Sequence, residues 1–203
     1  PGETLQFNEE SVWYRGFRDR NNREAGEAVK KVREYIFKGH IKEAEDLAIT
    51  SLSGNPESQS FYQMLAFADL HFNHEAEGVS EYRRELCLDD AVLRVSYKYK
   101  NTVFTREYFC SYPDQVLVAR LRAEGPEQLS FLLRMHRYAY YDVNNHIDSS
   151  ILSMTGTGGG ENGISWCAAA GFSEDDTEGD AVCSLSGEHI KVETAKEVVF
   201  YFA

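Results

Sequence analysis

Long apolar runs are missing from this chain of 203 residues. No stretch approaches the ~18–20 residues that a membrane-spanning helix needs, so no membrane partner is expected. Basic charge is short as well: 21 Lys and Arg stand against 33 Asp and Glu, for a formal charge of −12. Nucleic acid, whose phosphates demand a basic surface, is not expected as a partner. Cysteine is sparse and scattered. Cys87, Cys110, Cys167 and Cys183 form no CxxC pair and share no spacing, which argues against a metal cluster or a disulfide framework. Free, mostly buried thiols are the expectation, and they lean towards a reducing, cytoplasmic setting. The six histidines include no HxH or HExxH, and no Ser or Cys sits in a nucleophile elbow. No metal, cofactor or nucleophilic centre is expected.

What the chain does have is aromatic and alternating. Tyr, Phe and Trp make up 13% of it, a bias that suits strands. The clearest pattern lies between Glu81 and Phe131. Ala91, Leu93, Val95, Tyr97 and Tyr99 alternate with Arg94, Ser96 and Lys98, the period of a strand with one buried face. Lys100-Asn101 predicts a two-residue hairpin, with Asn101 taking the positive φ. Val103 to Cys110 returns as its partner, Pro113-Asp114 breaks the run, and Val116 to Ala119 is apolar on both faces. Further strands are predicted at Leu5–Asn8, Phe67–Asn73, Leu129–Met135, Ile151–Thr155, Ile164–Phe172, Val182–Leu185, Ile190–Val192 and Val198–Phe202. Tyr138–Asn145, Gly156–Gly160 and Ser173–Asp180 read as loops. The pattern predicts a mainly β, two-layer antiparallel sandwich, a single domain over residues 1–203.

One region departs from it. Ala25, Ala28, Val29, Val32, Tyr35 and Ile36 fall at helical spacing, with Asn21 or Asn22 placed to cap and Gly39 to terminate. A second helix, about Ile41 to Leu52, carries Ile41, Ala44, Leu47 and Ala48 on one face. A single pair with no repeat excludes a tetratricopeptide array, so a two-helix insertion at about 22–52, packed on the sandwich, is expected.

The carboxylates are numerous, but a glycosidase pair needs two acids about 5–10 Å apart in a cleft, and Glu81, Glu85, Asp89 and Asp90 read as strand-end, solvated groups. No catalytic residue is assigned. The least ordinary local chemistry is Trp13 and Tyr14 followed by Arg15, Phe17, Arg18 and Arg20. Rings beside guanidinium groups can face a sugar or a partner surface; they can equally anchor a loop to the core. Because interfaces favour aromatics and Arg, we take Trp13, Tyr14, Phe17, Arg18 and Arg20 as the candidate domain interface.

Several spaced motifs carry a family resemblance. Leu5-Gln6-Phe7-Asn8-Glu9, Trp13 and Arg18-Asp19-Arg20-Asn21-Asn22 are similar to an "LNE…W…RDRNN" signature. Tyr62-Gln63 and Asp69-Leu70 match a YQ…GDL segment, and Tyr82-Arg83-Arg84-Glu85-Leu86, Leu88-Asp89, Ala91-Val92, Tyr108 and Pro113-Asp114-Gln115-Val116 follow in order. Together they resemble the N-terminal domain of the bacterial glycoside hydrolase family 95, the α-L-fucosidases and their relatives. The opening GNGRLG strand of that family is lacking, and Ala66-Phe67-Ala68 stands where it has one Gly before Asp-Leu. The resemblance implies a super-β-sandwich that precedes an (α/α)6 barrel, on which the catalytic groups lie. It implies a non-catalytic role here, with that barrel of the same polypeptide and, through it, a carbohydrate substrate as partners. An independent sugar-binding module and an oligomerisation domain are the alternatives. Pro1 in place of an initiator Met, and an end at Ala203 straight after an apolar run, lead us to expect a fragment of a longer protein.

Overall fold

The computed structural model describes residues 2–16, 19–54, 61–62, 66–74, 76–138, 143–146, 148, 150–159, 163–172 and 177–203. In chain order the elements are β1 (Gly2–Phe7), β2 (Trp13–Tyr14), α1 (Ala25–Phe37), α2 (Ile41–Ser51), β3 (Phe61–Tyr62), β4 (Ala66–Phe72), β5 (Val79–Cys87), β6 (Val92–Tyr99), β7 (Thr102–Ser111), β8 (Val116–Glu124), β9 (Leu129–His136), β10 (Val143–His146), β11 (Ile151–Gly158), β12 (Ile164–Phe172), β13 (Glu178–Ser186) and β14 (His189–Phe202). Twelve of the strands form one antiparallel sheet in which β1-β4-β9-β14-β8-β7-β6-β5 are neighbours. β13 and the β12-β11-β10 run branch from the other edge of β14, while β2 and β3 pair apart. The mainly β, antiparallel class is as the alternation predicts, and α1 and α2 are the α-helices among the described residues.

β14 organises the molecule. Its first half lies between β9 and β13, and its second half lies between β8 and β12. β8 and β9 therefore run in sequence along one edge of β14, interrupted at residues 125–128. The corner is built from backbone geometry. β14 bulges between Val192 and Ala195, and Thr194 takes a φ of 59°. Opposite it Gly125 has a φ of 145°, and a Cβ there would sit 2.6 Å from the Asn101 carbonyl oxygen. Lys196 Nζ donates to the Gly125 and Glu127 carbonyls at 2.7 and 3.0 Å, which ties the two bends together. Bulges of this kind let a strand pass from one layer to another. The sequence reads Ile190–Val192 and Val198–Phe202 as separate strands because the polar Glu193–Glu197 piece hides their continuity.

Once bent, the sheet closes on itself. Phe72 of β4 lies under the Arg106 guanidinium of β7 at 3.9 Å from its ring centre. Glu3 of β1 reaches Arg106 at 2.9 Å and Arg84 of β5 at 3.1 Å. Between the layers lie Phe131, Leu133, Met135, Leu121, Leu152, Met154, Ile190 and Phe200, all buried, as period-2 patterning on each strand requires. Emptying any of the large sites, Phe131→Ala for instance, removes the transfer free energy and leaves a cavity, at a cost of about 3–5 kcal/mol.

Local expectations change in four places. Lys100 rather than Asn101 takes the positive φ, at 52°. Gly156–Gly158 belong to β11, paired with Trp166, Ser165 and Ile164, so the glycine run is mostly strand. Val143–His146 form β10 where a loop was expected, and β13 begins at Glu178 within the acidic segment. The thiols are not buried: Cys110 and Cys167 are exposed, and Cys87 and Cys183 are half-buried.

Candidate domain interface

The segment from Glu9 to Gly16 is held by its own backbone. Glu9 accepts from the Ser11 amide at 2.9 Å, and Val12 dips into the core. Trp13 Nε1 donates to the Glu10 carbonyl at 2.8 Å, with the indole 40% exposed. Tyr14 is half-buried, and the Arg15 guanidinium sits 5.8 Å from its ring centre. Trp13 and Tyr14 pair with Tyr62 and Phe61 as a short antiparallel ribbon.

The same segment docks on the glycine run. Arg15 N donates to the Gly158 carbonyl at 2.9 Å. Gly159 has a φ of 96°, and a Cβ added there would lie 2.4 Å from Arg15 N. Glycine at this position is therefore required twice, by conformation and by the close approach of a second backbone. The sequence offered only a loop for this run, because the contact is made with a residue more than a hundred positions away.

The chain then enters the helical pair. Asn22 Oδ1 accepts from Glu24 N at 3.0 Å, and Asn22 Nδ2 donates to the Ser51 and Ser53 carbonyls at 2.9 and 3.3 Å. Asn22 thus clasps the start of α1 to the end of α2, while Glu24 stands at the N-cap without a side-chain bond. Arg20 is exposed and its stem passes 3.5 Å from where a Gly54 Cβ would be. Gly39, at a φ of 77°, donates to Ile36 O while His40 donates to Tyr35 O, the paired bonds of a Schellman cap. Of the five candidate interface residues, Trp13, Tyr14 and Arg20 stand on this segment; Phe17 and Arg18 lie outside the described residues.

α1 and α2 pack on each other, and among the described residues no strand packs on either helix to a similar extent. The expected packing on the sandwich is therefore replaced by packing within the pair. Only Ala44 is buried in the two helices.

A groove and a smaller cavity lie elsewhere among the described residues. The outer face of β5–β8 forms a groove of about 460 Å³ lined by Arg83, Glu85, Arg94, Glu107, Arg120 and Arg122, among others. The carboxylates in and beside this groove are held by arginine: Glu85 by Arg83, Glu107 by Arg94, Glu124 by Arg122, and the adjoining Glu197 by Arg120 through two bonds of 2.6 and 3.0 Å. The described lining contains no aromatic ring on which a sugar could stack. Between the layers, Arg106, Glu3, Tyr97 and His74 form a second polar cluster beside a cavity of about 110 Å³. Burial lowers the His74 pKa to about 4. Among the described residues no three His, Cys, Asp or Glu side chains converge as metal ligands, and no helix is long and apolar enough to cross a membrane.

A curled antiparallel sheet with a helical hairpin beside it defines the class, a mainly β domain. The chain belongs to the family described as "Glycosyl hydrolase family 65, N-terminal domain", whose model matches residues 1–203. That family carries a different number from the one the motifs resemble, but it is likewise the N-terminal domain of glycoside hydrolases. Alpha-L-fucosidase 2 of Arabidopsis thaliana is 33% identical over 157 residues, 76% of this chain and 18% of that protein. Probable alpha-fucosidase A of Aspergillus niger is 31% identical over 130 residues, 61% of this chain and 16% of that protein. The chain thus spans under a fifth of either relative. One relative is from a plant and the other from a fungus, so they lend no support to the expected bacterial origin.

Proposed function

We propose that these residues are the non-catalytic N-terminal domain of a longer, α-L-fucosidase-like glycoside hydrolase. In this reading residues 1–203 are one folding unit that packs against a catalytic barrel of the same polypeptide and supports it. The carbohydrate substrate is bound by that barrel. The observation that carries the reading is the match itself: three quarters of the chain aligns with less than a fifth of a fucosidase. The groove supports it from the other side, since its acids are each engaged in an ion pair with arginine.

The test is turnover of an aryl α-L-fucoside by the purified chain and by the longer polypeptide that contains it. Hydrolysis is expected from the longer polypeptide alone. Hydrolysis by the 203-residue chain that is abolished by changing one of its own carboxylates, Glu107→Gln for example, would overturn the assignment.

A further inference from the structure

We propose that the tip of the α1–α2 hairpin is the surface by which this domain docks onto the remainder of its parent polypeptide, an inference that rests on the reading above. α1 and α2 have 13 and 11 residues. Helices this short are marginal alone and owe most of their stability to tertiary burial of an apolar face. Here the burial is mutual and slight, with Ala44 its one buried residue.

The most exposed apolar side chain, Phe37, lies at the tip of the hairpin with Ile36 and Ile41. Ile36 and Phe37 close α1, Ile41 opens α2, and the left-handed Gly39 folds the chain between them into a single turn. These three side chains are 49%, 88% and 59% exposed, large apolar groups left uncovered within six positions of one another. Ile49, further along α2, is 64% exposed.

The polar sides of the helices carry pairs of opposite charge, Lys30 with Glu27, Lys38 with Glu34 and Lys42 with Asp46. With these charges matched in pairs, the hairpin offers a partner apolar contact more than a field of one sign. That suits a protein surface in permanent contact better than a phosphate or an anionic lipid. A fucosidase relative has more than four fifths of its length outside the matched region, and such a polypeptide supplies the covering surface in cis.

The experiment places a thiol at the tip. Phe37→Cys is made in the 203-residue chain and in the longer polypeptide, and the rate of alkylation at the introduced thiol is followed by peptide-resolved mass spectrometry. The native cysteines, two of them exposed, are then resolved from the probe. Alkylation is expected to be fast in the isolated chain and at least about tenfold slower in the longer polypeptide. As a second measurement, Phe37→Asp with Ile41→Asp should lower the melting temperature of the longer polypeptide and leave that of the isolated chain unchanged. Equal alkylation in both forms, with α-L-fucoside hydrolysis intact, would sink the docking surface while sparing the functional reading. Absence of any further polypeptide in the parent protein removes the proposed occupant and overturns both. Dimerisation of the isolated chain that Phe37→Asp abolishes would make a second copy the occupant, and likewise overturn the proposal.

Discussion

Arg106 is an arginine in a core, and its neighbours show why it is tolerated. Its guanidinium lies over Phe72, donates to Glu3 at 2.9 Å and donates to the Tyr97 hydroxyl at 3.0 Å. The Tyr97 hydroxyl in turn hydrogen-bonds His74 Nε2 at 2.9 Å, in a direction set by the imidazole tautomer. Removing Glu3 strands a buried cation, so Glu3→Ala should destabilise the fold by about 3–5 kcal/mol in urea titrations. Glu3→Leu with Arg106→Met should cost less than the two single changes summed. His74 gives a pH test. Its folded pKa is about 4 against an ordinary 6.5, so between those values the unfolded chain binds the extra proton. Stability should therefore fall as pH drops from 6.5 to 4, by on the order of 1 kcal/mol after allowing for partial solvent screening. His74→Phe should lose less stability than the parent between pH 7 and pH 4.5. An unchanged loss in that variant would show that His74 is not the group responsible. None of this network was legible in the sequence, because Glu3 and Arg106 are a hundred positions apart and join only once the sheet curls.

At the scale of elements, the legible parts were those decided by local alternation. β6 to β9 and α1 to α2 follow from period and caps, since burial on one face repeats along each of the strands and an apolar stripe along each helix. The long β14 was not legible, because its corner is set by a bulge at Thr194 and by Gly125 just past the end of a neighbouring strand. The glycines at the end of β11 escaped for a related reason, their role being contact with Arg15. Two glycine substitutions separate the cases. Gly159→Ala should destabilise by about 1–3 kcal/mol, through a positive φ and a collision with the Arg15 backbone. Gly26→Ala, near the start of α1 with open space around its Cβ, should stabilise by about 0.5 kcal/mol. Thermal melts of the two variants beside the parent would check both signs at once.

For the whole molecule, the family was readable from the spaced motifs. Aromatic and Arg enrichment singled out Trp13, Tyr14 and Arg20, which the structure sets on the segment joining the sheet to the helices. The uncovered tip at Ile36, Phe37 and Ile41 was not legible, since a helical apolar stripe gives no sign of whether its own domain buries it. Support of a catalytic barrel by this domain is tested most directly by deleting residues 1–203 from the longer polypeptide and adding the separately purified chain back in trans. The remainder alone should melt at a lower temperature and hydrolyse aryl α-L-fucoside more slowly, and the added chain should restore both. A remainder that keeps its full stability and activity, and that binds none of the added chain, would contradict the account.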